Sequence, residues 1–279
     1  MSTATITASD VNKLRQMTGA GMMDCKKALT EANGDFQTAI DLLRKKGQKV
    51  AGNRADREAN EGVVLAKVTA DNKKAILVVL HCETDFVAKN QEFINFTNKI
   101  SEVAINNVPA NVDELAAFEI DGLKISDHII DQTGKIGEKL ELKYEKIEAA
   151  YCVAYNHPGN RLATIVGFNK SDAPNIETIA KDVAMQAAAM APVALDKEDV
   201  DASTLERELE IAREQVRAEG KPEDMVEKIS QGKLNKFYKE STLLNQEFIK
   251  DNKLTVRQYI SSSDKELVAT AFKRIALGS

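Results

Sequence analysis

Twice along this chain the same order of elements can be read from side-chain periodicity. Residues 63–69 and 73–80 are strand patterns joined around Asp71-Asn72, which is hairpin chemistry. The second contains an unbroken apolar run of strand length, Ala75-Ile76-Leu77-Val78-Val79-Leu80, rich in β-branched residues. The segment His81-Cys82-Glu83-Thr84-Asp85-Phe86-Val87-Ala88-Lys89-Asn90 follows. After it, Phe93, Ile94, Phe96, Ile100, Val103 and Ala104 recur at helical spacing. The order returns as strand 147–155, turn 156–160, strand 162–168, a connection, and helix 176–190. Ile176, Ile179, Ala180, Val183, Ala184 and Ala187 fall on one face of that helix. A duplication of this kind confines the fold to α+β, with two antiparallel sheet-plus-helix subdomains.

The flanking segments differ. Residues 1–47 read as three short helices: one capped by Ser9-Asp10, one over 22–32, and one over 35–46 that Gly47 ends. Val11, Leu14, Cys25, Ala28, Leu29, Phe36, Ala39, Ile40 and Leu43 are its inner positions. Met22 and Met23 are adjacent, so both cannot face one core. One of them, with Leu14 nearby, is expected at an exposed edge, where methionine makes an adaptable contact; the other reading closes the helix-end core with both. Residues 52–62 read as a polar linker or a poorly packed helix, and 107–136 as a looser helical region. A strand is expected at 140–147. Over 192–243 two apolar stripes, Leu205, Leu209, Ala212, Val216 and then Val226, Ile229, Leu234, Phe237, flank Gly220-Lys221-Pro222. They describe a helical hairpin too thin to own a core. Residues 267–275 suit a further strand of the second subdomain.

Composition narrows the function. A net charge of −5 opposes general nucleic-acid binding and adhesion to anionic membranes. Cys25, Cys82 and Cys152 are far apart and odd in number, so they read as reduced, buried thiols. With no secretory signal in view, a cytoplasmic protein is expected. No phosphate loop, dinucleotide turn or nucleophile elbow occurs. His81, His128 and His157 lack metal-ligand spacing. No cofactor, no metal site and no enzyme chemistry are therefore expected.

The segment between β run and helix carries the remaining question. Thr84 and Asp85 are helix-capping types. Phe86 directly after them either folds back onto its own helix or points outward as a wedge. The residues alone favour folding back, because most loop aromatics are tucked in.

The stretch Leu14-Arg15-x-x-Thr18-Gly19-Ala20-Gly21-Met22-Met23-Asp24-Cys25-Lys26-Lys27-Ala28-Leu29 resembles the start of the bacterial elongation factor Ts family. Cys82-x-Thr84-Asp85-Phe86-Val87-Ala88-Lys89-Asn90 resembles that family's second signature. The resemblance implies a guanine-nucleotide exchange factor for elongation factor Tu, bound in its GDP and nucleotide-free forms. It implies a ubiquitin-associated-like three-helix domain over 1–54, with Leu14, Met22 and Met23 gripping the partner's GTPase domain. It further implies core subdomains over 55–145 and over 146–194 with 244–279, and a coiled-coil insertion over 195–243. Thr84, Asp85, Phe86 and Val87 would enter beside the partner's Mg²⁺ and phosphates. Phe86 would be the wedge, and Asp85 would help displace the groups that hold the metal. Ile136 and Gly137 would touch the same region, and His157 would meet the partner's other domains. The hairpin serves dimerisation in some members, so a homodimer or a 2:2 complex is among the expected assemblies. The chain departs from the family at Asn160, Leu162, Lys143 and Glu145. A non-catalytic adaptor that binds other proteins through its three helices is the alternative, and an enzyme with an unrecognised carboxylate site is a third reading.

Overall fold

The computed structural model describes residues 5–278. The chain is an α+β protein with small sheets, and it divides into two units. The first comprises Met1–Leu65, Val78–Tyr144 and Leu277–Ser279; the second comprises Ala66–Leu77 and Glu145–Ala276.

The first unit opens with α1 (Ala8–Thr18), α2 (Met22–Glu31) and α3 (Phe36–Asn53). Thr7, two residues before Ser9 of the expected cap, starts α1. Its hydroxyl accepts from the Asp10 amide at 3.2 Å, and the Asp10 carboxylate accepts from the Thr7 amide at 3.0 Å. Asp35 caps α3, accepting from the Thr38 amide at 2.7 Å. Val11, Leu14, Cys25, Ala28, Leu29 and Ala39 form the core, with Phe36, Ile40 and Leu43 partly buried around it.

Next come β1 (Glu61–Val68), β2 (Lys74–Cys82), α4 (Asp85–Ala88) and α5 (Gln91–Asn107). Every residue from Ala75 to Leu80 is fully buried, which explains an apolar run without alternation. The region read as loosely helical is three elements: α6 (Val112–Ala117), a hairpin of β3 (Glu119–Ile120) and β4 (Leu123–Lys124), and α7 (Ile125–Ile136). Asp121 and Gly122 take φ of 53° and 80°, the left-handed pair that a two-residue hairpin demands. The strand β5 (Glu141–Glu148) completes a sheet in the order β1-β2-β5.

The helix α3 does not stop at Gly47, as the sequence suggested, but runs on to Asn53. Gly47 instead serves a helix crossing. A Cβ built on Gly134 of α7 would lie 2.7 Å from the Gly47 Cα, and one built on Gly47 would lie 3.0 Å from the Ile130 carbonyl oxygen. Only two glycines let α3 and α7 approach this closely. Arg44–Asp131 at 3.8 Å flanks the crossing.

The second unit holds β6 (Tyr151–Asn156), β7 (Leu162–Phe168) and α8 (Ile176–Met190). After α9 (Ala202–Ala218) and α10 (Glu223–Ser241) come β8 (Glu247–Phe248), β9 (Asp251–Thr255), α11 (Val256–Ser261) and β10 (Ala269–Ala276). The sheet order is β10-β7-β6, antiparallel throughout, with Val166 of β7 between Val153 and Phe272. Both three-stranded sheets thus put the second strand of a hairpin in the middle and add a third strand from farther along the chain. The inner face of α8 joins Val166, Phe168, Phe248 and Ile260 in one core. The helices α9 and α10 bury only Ala212, Val216, Val226, Ser230 and Leu234. Ion pairs such as Arg213–Glu227 at 2.9 Å and Lys233–Glu219 at 2.7 Å bridge them. Solvated pairs of this kind add little stability.

Candidate partner-binding site

The strand β2 delivers the chain to Glu83, and α4 is a single turn that begins immediately beyond it. A helix of four residues cannot sustain itself. Thr84 caps it, its hydroxyl accepting from the Val87 amide at 3.4 Å. Within the turn, Ala88 faces inward and is buried, while Phe86, two residues earlier, projects to the opposite side and is 83% exposed. The ring is therefore not folded back; the outward orientation holds. Beside it, Lys89 Nζ donates to the Asp85 carboxylate at 2.7 Å and holds that acid below the usual carboxylate range. An ionised carboxylate next to a bare aromatic ring forms the tip. Val87 is half-buried at its base.

The tip is mounted on a reciprocal clasp between two carboxylates. Glu138 Oε2 accepts from the backbone amides of Glu83 and Thr84, each at 3.1 Å, and Glu138 Oε1 accepts from the Thr84 hydroxyl at 2.7 Å. In return Glu83 Oε1 accepts from the Lys139 amide at 2.6 Å. Arg54 and Arg57 donate to Glu83 at 2.7 and 3.0 Å, and Lys139 Nζ donates to the Ala55 and Arg57 carbonyls. Residues 54–57, read as part of a polar linker or a poorly packed helix, are thus part of the mount. Burial raises the Glu83 carboxyl, but the Lys139 amide and the two guanidinium groups outweigh it and hold the pKa down at about 2. Burial, with the Glu138 charge, pushes the neighbouring Cys82 thiol up to about 12.

Because the Glu83 pKa is depressed on folding, its contribution to stability is complete above the ordinary value of 4.5 and is lost as pH falls towards about 2. The substitution Glu83→Gln is expected to cost about 2 kcal/mol near neutral pH through lost charge-assisted hydrogen bonds. It should also flatten the pH dependence of stability between about pH 5 and 2. Urea titrations across that range check both; equal slopes for the two proteins would refute the assignment.

Gly137 ends α7 at φ 77°, so Ile136 and Gly137 lie immediately before the Glu138 clasp that holds Thr84. Ile136 is half-buried. Of the three residues expected to grip with the N-terminal helices, Met22 and Met23 are 52% and 74% exposed, and Met17 joins them at the surface. Both methionines are open, where one was expected. They sit at the first turn of α2, before its inward face is established by Cys25. Leu14 is fully buried, so its role as a surface contact is corrected: it belongs to the core of the three-helix unit. His157 belongs to the second unit, exposed in the turn between β6 and β7, with Nδ1 3.0 Å from the Tyr155 hydroxyl. The residues missed from sequence are Glu83, Glu138, Arg54, Arg57 and Lys139. The one local hint was the acidic residue straight after a glycine helix stop.

Among the described residues no group of His, Cys, Asp and Glu is placed to hold a metal ion, and no helix is long and apolar enough to cross a membrane. What the site presents is an apolar ring and a charge on a hydrogen-bonded mount, a surface suited to contact with another macromolecule. Comparison with known proteins gives the chain a family. Residues 83–279 match the family model described as Elongation factor TS. The chain is 53% identical to elongation factor Ts of Flavobacterium psychrophilum, over 99% of this chain and 100% of that one. It is 53% identical to that of Cytophaga hutchinsonii, over 98% and 99%, and 42% identical to that of Chloroherpeton thalassium, over 99% of each. The chain belongs to the elongation factor Ts family.

Proposed function

We propose that this chain is a guanine-nucleotide exchange factor for elongation factor Tu and that it acts by inserting the tip Thr84-Asp85-Phe86-Val87 beside the partner's Mg²⁺ and phosphate site. The observation that carries the reading is the ring of Phe86, 83% exposed on a braced turn. A bound nucleotide is held by phosphate contacts and by the metal that bridges them. A ring wedged between the elements that supply those contacts, with the ionised Asp85 at its side, weakens both. By linkage, a protein that binds the empty partner better than the loaded one must weaken nucleotide binding by the same factor. No bond is made or broken: GDP leaves, GTP enters, and the exchange factor is released. Met22 and Met23 supply affinity from the three-helix unit, and Ile136, Gly137 and His157 add further contacts.

Release of fluorescent GDP from elongation factor Tu, followed by stopped flow, should accelerate with rising concentration of this protein and saturate. Replacing Met22 and Met23 together by alanine should raise the half-saturating concentration ~10-fold, a loss of about 1.4 kcal/mol, and leave the maximal rate near that of the parent. A protein that binds elongation factor Tu without speeding release would be an adaptor, and the exchange reading would fail.

A further inference from the structure

The exchange reading asks that Phe86 keep one direction while it is pressed into a partner. The turn α4 cannot ensure this by itself, with four residues and a long 3.4 Å cap bond. What fixes it lies far off in sequence. We propose that Glu138 is a positioning residue for the exchange step: its carboxylate ties the Thr84 backbone and hydroxyl to the end of α7 and so sets the direction in which Phe86 projects. The proposal rests on the exchange reading for its kinetic consequence and on geometry alone for the bracing.

Three donors converge on the one carboxylate: two successive amides and a hydroxyl. The hydroxyl bond is directional in effect. By donating to Glu138 at 2.7 Å, Thr84 Oγ1 turns its lone pairs towards the Val87 amide, the cap of the turn that holds Phe86. Glu138 therefore orients the cap as well as the backbone before it. The platform beneath Glu138 is stiff. The helix α7 is locked to α3 at the Gly47–Gly134 crossing. The return bond from the Lys139 amide to Glu83 ties the same two segments together in the opposite sense. Phe86 thus inherits the rigidity of the helix pair rather than that of its own loop.

The chain has no tryptophan, so Phe86→Trp installs a single fluorescent reporter at the tip. Time-resolved anisotropy of that indole reads the order of the turn directly. Glu138→Ala in the reporter background is expected to shorten its correlation time to that of a mobile loop, while Glu138→Gln, which keeps one carbonyl acceptor and the same reach, retains most of the order. In the otherwise unaltered chain, Glu138→Ala should lower the maximal rate of GDP release ~10-fold or more and shift the half-saturating concentration less than ~2-fold, the split expected when an interaction made only in the rate-limiting complex is lost. Glu138→Gln should restore most of that rate. Unchanged indole order in Glu138→Ala overturns the proposal, as does a mobile tip with a parental rate or a loss confined to half-saturation. If Glu138→Ala fails to fold, the Glu138→Gln chain decides: partial loss of order and of maximal rate supports the brace, and parental values for both overturn it. If the parent does not accelerate release yet the alanine variant loosens the indole, the brace stands and the exchange reading is what fails.

Discussion

Phe86→Ala is expected to lower the maximal rate of GDP release from elongation factor Tu ~30-fold or more, while the chain melts at the parental temperature. The two halves of that expectation have different sources. A central aromatic that enters a partner typically accounts for about 2–4 kcal/mol of the contact, and each ~1.4 kcal/mol is a factor of ten in rate. The folded chain, by contrast, loses almost nothing: the ring is 83% exposed and its removal opens no cavity. A surface substitution of this kind stays within about 0.5 kcal/mol. Stopped-flow release and differential scanning calorimetry on the same preparation separate the two effects. A variant as fast as the parent would remove the wedge from the mechanism, and a variant that melts early would mean that the ring has a structural duty after all.

Gly134→Ala is expected to destabilise the chain as much as Glu83→Gln does. Alanine in a helix interior usually gains about 1 kcal/mol over glycine, but here its methyl would stand 2.7 Å from the Gly47 Cα. The obstacle is backbone, so α3 and α7 must separate. A net loss of about 2 kcal/mol follows from overpacking at this crossing. Gly232 of α10 is the control, since a Cβ there would meet nothing within 4 Å. Gly232→Ala should raise stability by about 0.5–1 kcal/mol. Calorimetry should show the two substitutions moving the melting transition in opposite directions; a shift of the same sign in both would dismiss the close crossing as an explanation.

How much of this was legible beforehand depended on the range of each interaction. The helix α8 spans Ile176–Met190, as its periodicity indicates, and the run at 75–80 is a fully buried strand. Both follow from patterns that lie within one element. The hairpin at 119–124 was missed although its signal, Asp121-Gly122, is local; it was hidden because its strands are two residues each. The helix α3 was cut short at Gly47 because a glycine that ends a helix and one that admits a neighbouring helix look alike in sequence. At the candidate site, the segment Thr84–Val87 stands out by type and position, but the direction of Phe86 does not. It is set by Ala88 taking the inward side and by Glu138, whose bonds to residues 83 and 84 span more than fifty positions. No window of sequence contains such a clasp.

The cysteines have a chemical consequence of their own. Cys25, Cys82 and Cys152 are all buried, and burial pushes each thiol upward, Cys82 to about 12 and Cys152 to about 11. At neutral pH the reactive thiolate of Cys152 is then present on the order of once in ten thousand molecules, and that of Cys82 still more rarely. Peroxide and electrophilic metabolites attack the thiolate, so a cell under oxidative stress finds little on these three sulfurs to modify. The tip Thr84-Asp85-Phe86-Val87 carries no sulfur at all, so thiol oxidation has no target there.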